Sequence, residues 1–312
     1  MIINTGSRTD TVQYYTQWLL KRFEEGFVYS RNPMYPDIVT KYDLNPETLD
    51  CVIFCSKNYE PILPYITQIT DRFNTYFHYT ITAYGSDVEP RVPTIDKSIE
   101  TLIKLSEIVG TKRIAWRYDP VLLTEKYTKK VHAETFEYMA ERISPYVDRC
   151  IFSFVEMYKK LKTNMPEIIL LTEDDKNELA QIIGNISQKY NLYTQTCATN
   201  GIYEKYNIHS SGCITLDTLG KANNVKFKSL KHNGTRANCG CYENRNIGDY
   251  DTCPNGCKYC YANQNPQIAL ENFKKHNPNL PFILGNLKET DTVQQSKQKS
   301  IIIKENFQQK LF

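Results

Sequence analysis

The chain has 312 residues, with 38 Lys and Arg against 35 Asp and Glu, a formal net charge of +3 and 10 cysteines. Its 41% hydrophobic and 23% charged residues, without a long apolar run, exclude disordered, collagen-like and membrane-spanning classes. A chain of this length buries about three quarters of its unfolded surface without staples, so the cysteines need another explanation.

The first ten residues, MIINTGSRTD, lack the basic and apolar regions of a secretory signal. We therefore expect a cytoplasmic location and no structural disulfides. Clustered thiols in such a chain indicate metal ligands, and scattered thiols indicate small core residues. The clustered set is Cys239, Cys241, Cys253, Cys257 and Cys260, and the scattered set is Cys51, Cys55, Cys150, Cys197 and Cys213.

Short β-branched or aromatic runs alternate with helical periodicity from residue 1 to about residue 200. The predicted strands are Ile2 to Asn4, Cys51 to Cys55, Tyr76 to Ala83, Arg113 to Tyr118, Cys150 to Val155 and Leu192 to Cys197. Helical spacing separates them, for example from Val12 to Phe23 and from Ala133 to Ile143, and Thr172 with Asp175 predicts a variant capping box. This alternation predicts βαβ units and a parallel sheet, either open and doubly wound or closed as a barrel.

Because no glycine-rich dinucleotide fingerprint or phosphate-binding loop follows a strand, we favour a partial or complete (β/α) barrel over residues 1–220. Residues 221–312 are expected to form a C-terminal extension, packed on the barrel and carrying a cluster-binding loop at 239–263. The extension begins with a run of basic residues and no acid, comprising Lys221, Lys226, Lys228, Lys231 and Arg236. Such a run is either a solvated face or a contact for a phosphate backbone; nothing else in the sequence supports a nucleic-acid partner, and no membrane partner is expected.

Polar residues follow the predicted strands at the points where the strands end. Ser7 and Arg8 follow the first, Lys57 and Asn58 the second, and Arg117 and Asp119 end the fourth. In parallel barrels the C-terminal strand ends build the active site, so these residues predict a charged pocket. For any one of them, a helix cap or a salt-bridging loop residue is the alternative.

Cys253, Cys257 and Cys260 form a Cys-x3-Cys-x2-Cys triad, with turn-forming Pro254 and Gly256 between the first two. Three thiolates on one tight loop can hold three irons of a 4Fe-4S cluster, because thiolate is the soft ligand that such clusters need. The fourth iron is then left open, and it can chelate the amino and carboxylate groups of S-adenosylmethionine.

With Tyr259 directly before the third cysteine, the pattern resembles the cluster signature of the radical S-adenosylmethionine enzymes. In that superfamily the signature normally follows the first barrel strand, whereas here it lies beyond the sixth. The strand-end residues, together with the segment from Cys239 to Asn263, resemble an uncharacterised bacterial family, a domain of unknown function with radical-SAM-like cysteines at its C-terminal end.

The resemblance implies a radical-SAM-like barrel in which Cys253, Cys257 and Cys260 bind a 4Fe-4S cluster. S-adenosylmethionine would yield a 5'-deoxyadenosyl radical that acts on an unknown substrate, with electrons from a donor such as flavodoxin or ferredoxin. Tyr259 matches the aromatic that packs on the adenine. Asn58, Ser7 and Arg8 are expected to bind the cofactor, and the expected catalytic residues are Arg117, Asp119 and Lys57.

Two other interpretations remain open. Cys239, Cys241, Cys257 and Cys260 could form a structural zinc site, which would make the protein a zinc-stabilised barrel with a hydrolytic or nucleic-acid-binding role. His78 with Lys57, Arg117 and Asp119 could instead form a general acid/base site, although a lone histidine on a strand is more typical of a core. If the cluster interpretation holds, Cys239 and Cys241 are candidate additional ligands, radical-relaying thiols or loop-packing residues.

Overall fold

The protein is described by a computed structural model, which covers residues 1–199, 201–234 and 238–304. The strands in these residues are β1 (Ile2–Asn4), β2 (Phe27–Arg31), β3 (Ile38–Asp43), β4 (Cys51–Ser56), β5 (Thr75–Thr80), β6 (Ile114–Val121), β7 (Arg149–Phe154), β8 (Thr194–Thr196), β9 (His209–Ser210), β10 (Arg245–Asn246) and β11 (Thr292–Gln295). The α-helices are α1 (Thr11–Tyr14), α2 (Thr16–Glu25), α3 (Ile66–Thr70), α4 (Ile95–Val109), α5 (Lys129–Ile143), α6 (Leu161–Asn164), α7 (Glu173–Lys189), α8 (Leu216–Asn223) and α9 (Pro266–Lys274).

A parallel sheet of eight strands in the order β10-β1-β4-β5-β6-β7-β8-β9 forms the centre of the fold. The six strands predicted from the sequence are β1 and β4 to β8, and they lie side by side in chain order. The mixed α/β class is therefore confirmed.

The complete form of the predicted barrel is not found, because no ladder joins the edge strands β9 and β10 within the described residues. Each of these strands is only two residues long. Strand β10 comes from the segment beyond residue 220 and pairs in parallel with β1, so this segment supplies one edge of the central sheet. A second sheet of three strands, β11-β3-β2, has an antiparallel β2–β3 pair and a parallel β3–β11 pair.

The helices form where caps and apolar spacing agree. The Thr172 hydroxyl accepts a hydrogen bond from the Asp175 N–H at the start of α7, and the Asp175 carboxylate accepts one from Thr172, which confirms the predicted capping box. The apolar sides of the helices face the sheet: Phe136 of α5 stacks on Trp116 of β6, with ring centroids 4.9 Å apart. None of the helices in the described ranges has the length and apolar character needed to cross a membrane.

The terminal apolar run, Ile301 to Ile303, pairs with the basic segment rather than with the large sheet. Lys228 N–H donates to the Ile301 carbonyl at 2.7 Å, and Ile303 N–H donates to the Lys226 carbonyl at 2.8 Å. Lys221 forms an ion pair with Asp217 one helical turn away, whereas Arg236 lies outside the described residues.

His132 on α5 is buried as a neutral ring. Its Nε2 lies 2.8 Å from the Leu122 carbonyl and its Nδ1 lies 2.6 Å from the Tyr118 hydroxyl, so one nitrogen donates and the other accepts. Burial lowers the pKa of His132 from 6.5 to about 4. Between these values the unfolded chain binds a proton that the folded chain does not, so stability is lost as the pH falls from 6.5 towards 4.

We predict that His132→Gln reduces the difference in unfolding free energy between pH 7 and pH 5 by about 2 kcal/mol, because it removes this proton linkage. Urea unfolding at the two pH values measures that difference. His209→Gln, at an exposed position, controls for the loss of a histidine. An unchanged pH dependence in His132→Gln would contradict the buried neutral state.

Candidate functional site

A cavity of about 830 Å³ lies at the C-terminal ends of the parallel strands. This volume falls within the range of about 300 to 1,000 Å³ typical of small-molecule sites. The predicted site residues that line it are Ser7, Arg8, Lys57, Arg117, Asp119, Tyr259, Cys239, Cys241, Cys253, Cys257 and Cys260. The fold thus brings the strand ends and the cysteine segment to one cavity.

Asn58 is the predicted site residue that the fold places elsewhere. It is not part of the cavity lining, and its side-chain oxygen accepts a hydrogen bond from Glu60 N–H at 3.0 Å. This local hydrogen bond, from a backbone N–H two residues on, gives Asn58 a structural role in the loop that precedes Glu60–Tyr65.

The carboxylate of Asp10, at the N-cap of α1, joins three parts of the site. It accepts hydrogen bonds from the Ser56 hydroxyl at 2.7 Å, from Lys57 N–H and Gln13 N–H at 3.0 Å each, and from the Asn255 amide at 3.3 Å. Burial raises the pKa of Asp10, and these hydrogen bonds oppose that rise. Asp10 therefore ties the ends of β1 and β4 to the cysteine loop, which we define as residues 252–263.

The backbone carbonyls of the cysteine loop are held from several directions. The Thr252 carbonyl accepts a hydrogen bond from the Tyr15 hydroxyl at 2.5 Å. The next two carbonyls, of Cys253 and Pro254, accept from the Asn263 amide at 2.7 Å and from the Arg91 guanidinium at 3.0 Å. A loop with so many fixed groups holds its side chains in one arrangement before any ligand binds.

Two of the triad thiols, Cys253 and Cys257, have surroundings that oppose and favour the thiolate at once. Burial raises the pKa of Cys253 to about 12 and that of Cys257 well above its ordinary value. Backbone N–H groups of Asn255 and Asp10 hydrogen-bond to the Cys253 sulfur, and the charge of Lys57 favours the thiolate of Cys257. These donors and this cation would stabilise thiolates bound to a metal centre.

Glu89 positions Tyr259, the aromatic residue before the third cysteine, and Glu89 was not predicted as a site residue. The Tyr259 hydroxyl donates to the Glu89 carboxylate, which also accepts from Lys57 Nζ at 2.9 Å and from the Thr82 hydroxyl at 2.8 Å. Burial alone would lower the pKa of Lys57, but the charges of Glu89 and Cys257 raise it overall, so Lys57 remains a cation. Glu89 comes from an irregular loop, where neither spacing nor a motif indicated it.

On another wall of the cavity, Arg117 Nη2 lies 2.6 Å from the Asp119 carboxylate, which also accepts from the Ser153 hydroxyl. At the end of β1, Arg8 Nη1 is 3.4 Å from the Gly248 carbonyl, and the Ser7 carbonyl accepts a hydrogen bond from the Tyr261 hydroxyl. The side chains of Arg117 and Asp119 are only 15% and 21% exposed, so this pair presents fixed rather than freely moving charges to the cavity.

His78 does not have the features of a general base. It is fully buried, its Nδ1 lies 3.4 Å from the Cys55 sulfur, and its Nε2 lies 3.1 Å from the Cys213 carbonyl. Burial lowers the pKa of His78 to about 3, so the ring is neutral at physiological pH. These contacts favour the core interpretation of this histidine.

The zinc site predicted from Cys239, Cys241, Cys257 and Cys260 is not assembled. Within the described residues, the group of potential ligand atoms that lie within 4.8 Å of one another is instead Cys197, Cys213 and Cys241. Cys239 packs against the buried cluster that contains Cys197 and Cys241.

Cys197 and Cys213 pack in the core as expected of the scattered cysteines, and the fold also brings them next to Cys241 of the clustered set. The sequence places these two cysteines far from Cys239, but the fold brings the turn after β9 against the segment that leads into β10. Tyr242 N–H accordingly donates to the Ile214 carbonyl at 3.0 Å. Hydrogen bonds from Cys213 and the other neighbouring thiols lower the pKa of Cys197.

We predict that Gly256→Ala loosens the cysteine loop. Gly256 has a φ of +70°, and an added Cβ would lie 3.0 Å from the Arg91 nitrogen that binds the Pro254 carbonyl. In the metal-free chain, alkylation of the buried Cys253 thiol should become several-fold faster, as followed by mass spectrometry of the labelled peptide. Gly285→Ala is the matched control, because Gly285 has a φ of +78° with nothing within 4 Å of an added Cβ. Equal Cys253 alkylation rates in the two variants would show that the loop is not held in this way.

The family model described as "Domain of unknown function (DUF1848)" matches residues 2–262. No curated protein and no solved structure gave a significant match. The chain therefore belongs to the DUF1848 family.

Proposed function

We propose that this member of a family without an assigned function is a radical S-adenosylmethionine-type enzyme. Cys253, Cys257 and Cys260 would hold a 4Fe-4S cluster, and the substrate would occupy the same cavity. One observation carries the proposal: the loop that presents the three thiols and the charged strand ends Lys57, Arg117 and Asp119 line one cavity of about 830 Å³.

The triad fits such a cluster by the chemistry of its donors. All three cysteines are free, and a cubane takes one thiolate on each of three irons, which requires thiols spaced more widely than ligands of a single ion. In the described residues the three triad sulfurs do not all lie within 4.8 Å of one another, which agrees with the wider spacing that a cubane needs. The N–H groups directed at the Cys253 sulfur are the kind of contact that tunes iron–sulfur clusters.

When bound, the cluster and S-adenosylmethionine would supply an electron and a 5'-deoxyadenosyl radical that abstracts hydrogen from the substrate. The chain's own residues bind and orient. The Tyr259 ring, anchored through its hydroxyl to Glu89, presents an aromatic face beside the triad on which an adenine can pack. Lys57 lies 5.7 Å from the centre of that ring and supplies positive charge near the thiolates.

Ser7 and Arg8 would contact the polar part of S-adenosylmethionine, since they lie at the end of β1 on the cavity wall. Arg117 and Asp119 would hold the substrate. Arg117 offers N–H donors and Asp119 offers carboxylate acceptors, and the two groups lie 2.6 Å apart. Such a pair suits a polar substrate rather than an apolar one.

The proposal includes a cytoplasmic location and a reducing electron donor such as a flavodoxin or ferredoxin. The ten free cysteines of the structure support a reducing compartment. The alternative is a zinc-stabilised barrel with a hydrolytic or nucleic-acid-binding role. Zinc instead of iron in the experiment below would favour it.

We predict that the full chain, reconstituted anaerobically, holds about four irons per chain and releases 5'-deoxyadenosine from S-adenosylmethionine under reducing conditions. Cys257→Ala should lose most of this iron and all of the nucleoside, because one iron loses its thiolate. Iron is counted by elemental analysis and the nucleoside by chromatography.

Cys150→Ala is the matched control, because Cys150 is a fully buried cysteine of β7 that does not line the cavity. This variant should keep both the iron and the nucleoside. A fully loaded cluster that releases no 5'-deoxyadenosine would contradict the radical chemistry, and a colourless chain with zinc on the triad would contradict the cluster itself.

A further inference from the structure

Four thiols that the proposed radical chemistry does not use converge on one side of the cavity. The Cys213 and Cys241 sulfurs are 3.4 Å apart, and together with Cys197 they lie within 4.8 Å of one another. Cys239 packs against the same buried cluster that contains Cys197 and Cys241 and lines the same cavity, and it is the fourth thiol of the group. Cys197 and Cys241 are buried, and the other two are half-buried.

Three glycines permit this convergence. A Cβ on Gly212 would lie 2.4 Å from the Gly240 carbonyl oxygen, so the turn carrying Cys213 and the segment carrying Cys241 approach each other backbone to backbone. A Cβ on Gly234 would lie 2.6 Å from the Cys239 sulfur. The buried Gln195 amide of β8 fixes the same turn by donating to the Gly212 carbonyl at 3.1 Å. The thiols are thus held together by the backbone rather than by their own mutual contacts alone.

The sulfur spacing selects the kind of centre that fits. A tetrahedral zinc ion with zinc–sulfur distances of about 2.3 Å places its sulfurs about 3.8 Å apart. The Cys213 and Cys241 sulfurs are 3.4 Å apart, and no two sulfurs of Cys197, Cys213 and Cys241 are more than 4.8 Å apart, so the group is compact enough for one such ion. A disulfide between Cys213 and Cys241 would use two of the thiols and leave Cys197 and Cys239 without a role. A 4Fe-4S cubane takes its thiolates on separate irons, so it needs thiols that lie further apart than the three in this group.

We propose that Cys197, Cys213, Cys239 and Cys241 form a closed structural zinc site. This site would join the two edges of the central sheet, β9 and β10. Cys197 follows β8 and Cys213 follows β9 at one edge, and the other two cysteines precede β10 at the opposite edge. Binding of Zn²⁺ by the four thiols releases their four protons and leaves a centre of charge 2−. Its metal–sulfur bonds would join the two edges, between which the described residues form no strand ladder.

Arg117 supports such an anionic centre. Its charge acts on both Cys197 and Cys213, and Arg117 is itself held by Asp119 on the cavity wall. The same arginine therefore connects the proposed zinc site to the pocket. A role of this kind is separate from the proposed function, because it requires neither iron nor S-adenosylmethionine.

Elemental analysis of the full chain, purified anaerobically from zinc- and iron-containing medium, tests the site directly. We expect one tightly bound zinc per chain, which native mass spectrometry should show as the metal mass less the displaced protons. The triple variant Cys253→Ala, Cys257→Ala, Cys260→Ala should lose iron and keep this zinc. Because iron and zinc are counted independently, failure of the zinc site and failure of the proposed function can be distinguished.

Cys213→Ala and Cys239→Ala should each weaken zinc binding by at least about tenfold, since the loss of groups that merely orient ligands already costs that much. Cys150→Ala should leave zinc binding unchanged. Cobalt loaded into the triple variant provides a readout that needs no change to the proposed ligands. The intense visible absorption of tetrahedral cobalt thiolate is expected. Its absence, a zinc-free folded chain, an iron ion in this site, or a Cys213–Cys241 disulfide in the anaerobic protein would each overturn the proposal.

Discussion

The buried carboxylate of Asp10 is the contact on which the rest of the site depends. It sits at the N-cap of α1 and receives hydrogen bonds from Ser56 and Lys57 at the end of β4 and from Asn255 in the cysteine loop. A buried carboxylate with several donors is costly to leave unsatisfied, so these segments are constrained together. The sheet fixes where β1 and β4 end. Asp10 binds the cysteine loop to these strand ends through Asn255, and this contact holds the triad over the cavity. The cysteine loop is remote in sequence from the strands but fixed to them in space.

The two groups of cysteines differ in spacing and in position, which gives them different expected roles. The triad from Cys253 to Cys260 lies on one loop over the strand ends, beside Tyr259 and Lys57, where a cofactor and a substrate could meet. The group from Cys197 to Cys241 is tight and spans the two edges of the sheet, where a closed site would stabilise the fold. Arg117 acts electrostatically on Cys197 and Cys213 and contacts Asp119 on the cavity wall, so it connects the second group to the pocket.

The central strands could be predicted because β4 to β7 are short apolar or aromatic runs, whose length and aromatic or β-branched content are typical of strands buried on both faces. The capping box at Thr172 was also readable from the sequence. Strands β9 and β10 were not, because two residues carry no periodic signal, and the sequence therefore left open whether the sheet closes. The triad was predictable from its spacing, whereas the grouping of Cys197 with Cys241 arises from tertiary contacts at Gly212 and Gly240. Glu89 and Asn255 are single polar residues in loops, and only their partners in the fold reveal what they do.

The central claim is that the loop from Cys253 to Cys260 holds an iron–sulfur cluster at the strand-end cavity. X-ray diffraction from anaerobically grown crystals, recorded on both sides of the iron absorption edge, measures this most directly. The account predicts strong iron anomalous density within bonding distance of the Cys253, Cys257 and Cys260 sulfurs, facing Tyr259. Zinc density at these sulfurs, or no metal there in protein that has been supplied with iron and sulfide, would contradict it.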